Sequence, residues 1–556
     1  MTDPSSATVF AQLLPPLRPE WRRIVGSYAV GTASALALTA IAVLTALGVG
    51  GAVVHGSWPP LAWWIALVVL VLLRMLLTWR EMDVSHALAY RVLARLRVAV
   101  FDSYARSVPG RRREHSGRAA AVVMTDIEKL EFFYAHTLAQ IGTAITVFLV
   151  ALIGVASVLP TAAVVVAFGG GAVALTALLG AAPARRIGGR EQQERERQSQ
   201  TLVDALGAMR EILAYGLRER IVRDVDEGTR HATQLARRRA VVTAGVDGAR
   251  ELVLTTVVIG IILVALTAGG PGDRSAHTAA LLPAMIALSV TAVAALGEAA
   301  RTVTELHPLT ASARRVDAAL SRPAVTTEVV DPIRLPEGPL GLRFDDVSFS
   351  YDDRMPALRG WTMAVAPSEH VGLSGASGAG KSTVIALAAR LWDPTGGVVA
   401  LVDAGGRAYP LTRIADEELR RALTVVEQDP VLFHGTVREN LLRGVEPRAD
   451  PALRAALARV GIDDRIDLDD VIGEHGLRLS GGQRARLALA RALVREPRVL
   501  IVDEVTASLD PATERRISDV LADFDGTVLV ASHRRETLER LPRVIRLAPL
   551  GRRSRP

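Results

Sequence analysis

The sequence predicts two unlike parts in one chain: an α-helical membrane domain, followed by an α/β domain built on a parallel sheet. Three observations carry this. Six runs of about 20 apolar residues, each long enough to cross a bilayer, lie before residue 300. Beyond Gly341, short β-branched runs alternate with helical stretches, the pattern of strands and crossover helices. The 556 residues are 50% hydrophobic with a mean hydropathy of +0.27, yet 22% are charged, so apolar and polar residues must be segregated. A chain of this length exceeds one ordinary domain.

Taken in order, Met1–Ala7 reads as a tail and Thr8–Ile24 as an interfacial helix, with Trp21 at headgroup level. The apolar runs are Val25–Val54, Leu61–Trp79, Gln140–Leu159, Thr161–Leu179, Leu252–Ala268 and Ala279–Ala299. The first is too long for the core of a cleavable signal and reads as a retained helix. Gly51–Pro60 contains no Lys or Arg, a turn at Pro160 separates the third and fourth runs, and Gly269–Thr278 has a single Arg. Arg80–Ala139 and Pro183–Arg250 are long and basic. The positive-inside rule therefore places both termini, both long loops and the second domain in the cytoplasm, in a multi-pass protein of the cytoplasmic membrane.

Glu81–Ser107 and Glu191–Ala240 carry helical spacing with dense charge, so the spanning helices should continue beyond the lipid bilayer as stalks. The sixth should run on through Arg301–Leu320. Ser321–Leu340, broken by Pro323, Pro332, Pro336 and Pro339, reads as a linker. The expected organisation is thus 1–24 tail and interfacial helix, 25–320 six-helix transmembrane domain, 321–340 linker, and 341–556 soluble domain. Within the last, Val371–Leu373, Leu423–Val426, Val499–Val502 and Thr527–Ala531 read as buried strands.

The net charge is +7 and the pI about 10.1. Arg22-Arg23, Arg111-Arg112-Arg113, Arg185-Arg186 and Arg237-Arg238-Arg239 all flank apolar runs, so topology accounts for the charge better than a nucleic-acid partner, and none is expected. There is no cysteine, which excludes disulfides, thiolate metal sites and a Cys nucleophile.

Gly375-Ala376-Ser377-Gly378-Ala379-Gly380-Lys381-Ser382-Thr383 follows a strand and opens a helix. This is a phosphate-binding loop in the context it requires. Glycines that tolerate positive φ let successive N–H groups face one concavity, and the helix start adds its positive dipole end. Lys381 should reach the β- and γ-phosphates of a nucleotide, and Ser382 should ligate Mg²⁺. The second domain is therefore an α/β P-loop nucleotide-binding domain. The apolar strand ending at Asp503-Glu504 should set Asp503 toward Mg²⁺ and Glu504 toward the attacking water.

Leu479-Ser480-Gly481-Gly482-Gln483 resembles the signature motif of ATP-binding cassette (ABC) proteins. Other motifs of that family follow in order. Tyr351 is similar to the residue that stacks on adenine. Gln428 resembles the Q-loop glutamine near Mg²⁺ and the water, although Glu427 precedes it where the family usually has an apolar residue or Pro. Ala507-Ser508-Leu509-Asp510 resembles the D-loop, His533 the switch histidine, and Gly473-Glu474-His475-Gly476 an exporter-type segment. The resemblance implies that Ser480 and Gly482 act on ATP held by an opposite cassette, so the chain should be half of a homodimer or heterodimer.

Six helices with stalks ahead of the cassette resemble the exporter-type half-transporter. Ser116–Ala119 and Thr125–Glu128 resemble its first intracellular loop and Arg210–Gly216 its second, which the family uses to couple the membrane domain to the cassettes. The resemblance implies ATP-driven transport of a small molecule or peptide, as export or, on the same architecture, import. A soluble cassette acting on nucleic acid is the third reading, disfavoured by the six apolar runs. Arg74, within the second run, is expected to line a cavity and attract an anionic substrate, the alternatives being that it snorkels or pairs structurally.

Overall fold

The computed structural model describes residues 15–56, 58–110, 116–268, 273–352, 355–473, 479–505 and 509–548. The chain divides into two units: one holds the long helices up to Arg322, and the other runs from Pro323 and takes in the turn following Tyr104.

Among the described residues, six helices are long and apolar enough to cross a membrane. They are Trp21–His55, Leu61–Ser107, Leu138–Val158, Pro160–Gly207, Arg218–Ala268 and Asp273–Leu320. Helices of nearly 50 residues measure about 70 Å, well over the hydrocarbon thickness of about 30 Å. The stalks are thus continuous with their spans. The first helix stops at Gly56, whose φ of +66° lets its N–H cap the Ala52 carbonyl. Leu159 is extended and Pro160 opens the fourth helix at its first position, so the turn between the third and fourth spans needs no further residues.

Ala151, Val155, Val166, Ile261, Met285 and Val293 form the core of the spanning region, drawn from the third to sixth helices. A methyl group at Gly169 would lie 2.2 Å from Val257, so glycine is what allows the fourth and fifth helices their close approach. By contrast, the most apolar stretch of the second helix buries nothing within this chain. Arg74 on that helix hydrogen-bonds the buried Ser34 hydroxyl of the first helix through one guanidinium nitrogen.

A second cluster packs the stalks. Leu88, Val92, Leu93 and Leu96 meet Val122, Ile127 and Leu130, together with Ala313 and Val316 of the sixth helix. Here the chain forms two π-helical turns, Val122–Asp126 and Phe133–Thr137, which periodicity alone does not reveal. The first ends on buried Asp126, which accepts two 2.7 Å hydrogen bonds from Arg315 and one of 2.9 Å from Ser312. The expected interfacial helix differs from what is seen. Thr8–Leu14 lies outside the described residues, Pro15–Glu20 is a 3₁₀ turn, and its Leu17 is buried in the stalk cluster. Buried Glu20 ion-pairs Arg95 of the second helix at 2.9 Å.

The second unit carries two sheets. The parallel one has the order β6-β7-β8-β3-β9, where β3 is His370–Gly375, β6 Leu423–Val426, β7 Val499–Asp503, β8 Thr527–Ala531 and β9 Arg543–Leu547. All four expected strands are present, as its central and edge members. The other sheet, not anticipated, is antiparallel: β1 Leu340–Phe349, β2 Leu358–Val365, β4 Gly396–Asp403 and β5 Ala408–Pro410, in the order β2-β1-β4-β5. Its apolar face shares one core with Val371, Leu373, Ile501 and Leu529 of the parallel sheet. The proline-rich segment before β1 is fastened to this unit. Ile333 N–H donates to the Arg413 carbonyl at 2.8 Å, Leu335 N–H donates to Glu418 at 2.7 Å, and Val325, Ile333 and Leu335 pack against the core.

Candidate active site

The parallel sheet sets its functional groups at the carboxyl ends of β3, β7 and β8, where ligands of open α/β sheets bind. After β3 the chain turns through Gly375–Gly380 and enters the helix Lys381–Ala388. Gly378 and Gly380 have φ of +79° and +104°, as a concave loop of N–H groups requires. Gly375 is needed for another reason: a methyl there would stand 2.8 Å from the Leu547 carbonyl of β9. Ala376, Ser377 and Gly378 are exposed, whereas Ala379 is buried beneath them. Lys381 Nζ folds over the loop and donates to the Gly375 carbonyl at 2.8 Å and the Ala376 carbonyl at 3.4 Å. A cation is thereby fixed at the mouth of a ring of N–H groups.

Four buried residues of β7 deliver Asp503 beside this loop. The Ser382 hydroxyl at the start of the helix lies near enough to oppose, slightly, the upward shift of its carboxyl. Burial, reinforced by the Glu504 charge and opposed by Lys381, pushes the Asp503 carboxyl up to about 6. Glu504 adopts a φ of +46°, rare for a side-chain-bearing residue, and its N–H donates to the Ala531 carbonyl at 2.9 Å. That bond to β8 aims its carboxylate inward, 3.4 Å from His533 Nδ1 and 4.0 Å from Lys381 Nζ. Lys381, Ser382, Asp503, Glu504 and His533 therefore converge.

Gln428 lies two residues beyond β6 and is exposed; Val426 of that strand pairs with Val502 of β7, so Gln428 follows an edge adjacent to Asp503. The charge of its neighbour Glu427 is felt at Asp503. Tyr351 is partly exposed. Its ring meets Phe349 and Trp392 edge-on, at 4.8 and 5.5 Å, and its hydroxyl donates to buried Thr383 at 3.2 Å. The aromatic ring is thus joined directly to the phosphate loop.

Ser480 caps the 14-residue helix Gly481–Val494. Its hydroxyl oxygen accepts from Gln483 N–H at 3.2 Å, while Gln483 Oε1 accepts from Ser480 N–H at 2.8 Å. This capping box consumes the Gln483 side chain and leaves the Ser480 O–H proton and the first-turn N–H groups of Gly481 and Gly482 to face outward. Among the described residues, no hydrogen bond or ion pair joins this helix start to the Lys381 loop. Asp510 likewise caps a helix, accepting 3.1 Å bonds from Ala512 and Thr513 N–H; the Thr513 side chain first, and then these N–H groups, hold its carboxyl below the usual range. Ala507, Ser508, Glu474, His475 and Gly476 lie outside the described residues.

The residues suit a magnesium nucleotide. Asp503 and the Ser382 hydroxyl are hard oxygen donors, and the raised Asp503 carboxyl marks a half-buried negative charge that a bound cation would stabilise. No group of three or more His, Asp or Glu among the described residues could hold a metal alone. Two partners of the site have no motif of their own in the sequence: Trp392, against which Tyr351 packs, and Glu514, which pairs with Arg534 beside His533.

The family model described as ABC transporter matches residues 358–507, and that described as ABC transporter transmembrane region matches residues 27–293. The chain is 40% identical over 211 residues to human antigen peptide transporter 2, covering 37% of this chain and 30% of that protein. It is 38% identical over 225 residues to a β-(1→2)glucan export ATP-binding/permease protein of Nitrobacter winogradskyi, covering 39% and 36%. To an ATP-dependent lipid A-core flippase of Cupriavidus metallidurans it is 40% identical over 215 residues, covering 37% and 35%. The matched stretch thus spans about a third of the length of these curated relatives. A solved bacterial Atm1-family ABC exporter with ATP bound shares the fold, with a TM-score of 0.75 at 22% identity, over 96% of this chain and 93% of that one.

Proposed function

Because the chain belongs to the ABC transporter family, we propose that it is a half-transporter of the cytoplasmic membrane, with its ATP-binding unit and both termini in the cytoplasm. It pairs with a second copy or a second half-transporter, hydrolyses ATP, and exports a small molecule or peptide by alternating access. The observation that carries this reading is the convergence of Lys381, Asp503, Glu504 and His533 in a chain with six spanning helices. A relative named for glucan export supports the export direction.

Bound Mg²⁺ and ATP would supply the cleavable anhydride and a positive charge that offsets the partly buried Asp503 carboxylate. The chain's own groups do the rest. Loop N–H groups and Lys381 hold phosphate oxygens. Glu504, close to His533, orients a water and accepts its proton. The Ser480 hydroxyl and the Gly481 and Gly482 N–H groups make a helix start suited to an anion, and they serve a partner's nucleotide. Closing two such half-sites around ATP would shift the helices between inward-open and outward-open arrangements.

The test is Glu504→Gln. Its ATP turnover should fall by at least about 100-fold, and the purified protein should accumulate as an ATP-bound pair on size-exclusion chromatography. Turnover at the native rate without a trapped pair overturns the reading.

A further inference from the structure

Packing does not hold His533 in place. Its side chain is 58% exposed, and it approaches Glu504 at 3.4 Å. Its position must therefore come from the backbone turn on which it sits, two residues beyond β8. One side of that turn is anchored in the sheet: Ser532 N–H donates to the Leu373 carbonyl at 3.2 Å, and Arg534 N–H donates back to the Ser532 hydroxyl at 3.0 Å.

The other side is anchored through a buried charge. Glu514, on the helix Pro511–Ala522, is 3% exposed, and a carboxylate so placed is costly unless paired and hydrogen-bonded. Both of its oxygens are engaged. Oε2 ion-pairs the Arg534 guanidinium, and Oε1 accepts from the Thr537 hydroxyl at 3.0 Å. Arg534 Nη1 also reaches the Leu509 carbonyl at 3.4 Å, next to Asp510, which caps that same helix. The turn carrying His533 is thus clamped to the segment that begins at Leu509.

We propose that Glu514 and Arg534 are positioning residues for His533. They fix the turn so that the imidazole stays within reach of Glu504, and they tie its placement to the Leu509–Asp510 segment. The inference rests on the reading of His533 as a group of the ATP site.

The experiment measures steady-state ATP hydrolysis by the full-length protein in nanodiscs for Arg534→Ala, Glu514→Gln, His533→Ala and the double variant Arg534→Ala/His533→Ala. A displaced imidazole should lower kcat about 10- to 100-fold in the first two, with KM for ATP within about twofold. The double variant should be no slower than His533→Ala, because both changes remove one function. Arg534→Lys should recover part of the loss. Additive losses in the double variant, or unchanged kcat in Arg534→Ala and Glu514→Gln alongside an inactive His533→Ala, overturn the positioning role alone. Full kcat in His533→Ala removes the reading of His533 and the inference with it. If Arg534→Ala does not accumulate as folded protein, Glu514→Gln and Arg534→Lys, which preserve size and hydrogen bonding, carry the same comparison.

Discussion

At the scale of single residues, Asp503 shows how a binding site opposes its own empty state. Its carboxyl is raised to about 6, chiefly by burial and by the neighbouring Glu504 charge. An acid that holds its proton more tightly folded than unfolded stabilises the protein at low pH and loses that contribution as pH rises through the folded value. The window here runs from about 4, the unfolded value, to about 6. Asp503→Asn removes the penalty. Without nucleotide at pH 7.5, the variant should melt about 2–4 °C above the native protein, and the gap should close as pH falls toward 4. With ATP and Mg²⁺ the order should reverse, because only the native carboxylate gains a cation. Thermal melts across pH, with and without nucleotide, check both signs. An unchanged order on adding nucleotide would dismiss the cation role of Asp503.

At the scale of elements, the helix Gly481–Val494 separates two duties of one hydroxyl. Ser480 is a cap, and it is also the donor we assign to a partner's nucleotide. Ser480→Ala should cost about 1 kcal/mol of stability, whereas Ser480→Gly should cost only a few tenths. Both lose the hydroxyl equally. If it serves the nucleotide, ATP turnover should fall alike in the two variants despite their different melting points. Turnover that tracks stability instead would reduce Ser480 to a cap. The same scale explains what pattern reading missed. The antiparallel sheet rests on long-range pairs such as Phe344 with Met363 and Val399, and no local period announces those partners. The π-helical turn ending at Asp126 is stabilised by Ser312 and Arg315, nearly 190 residues away.

At the scale of the whole molecule, the lack of cysteine turns topology into a direct measurement. Trp58, between the first two spans, is 85% exposed, and Asp224 lies on the exposed start of the fifth helix. In the proposed orientation the two lie on opposite sides of the membrane. A membrane-impermeant maleimide should label Trp58→Cys in intact cells and Asp224→Cys only after permeabilisation. The opposite pattern would invert the assignment of the ATP-binding unit to the cytoplasm.

The amino-acid order alone determined the features that depend on neighbours in the chain. Apolar run length marks spans because lipid cannot satisfy backbone polar groups. The glycine spacing of Gly375–Lys381 marks a phosphate loop because φ is a local property. Only the tertiary structure decided which distant side chains meet. It placed Glu504 between Lys381 and His533, set Arg74 beside Ser34, made Asp510 a helix cap, and paired buried Glu514 with part-exposed Arg534. Those contacts follow from burial and register across the whole fold, where no short segment specifies its partner.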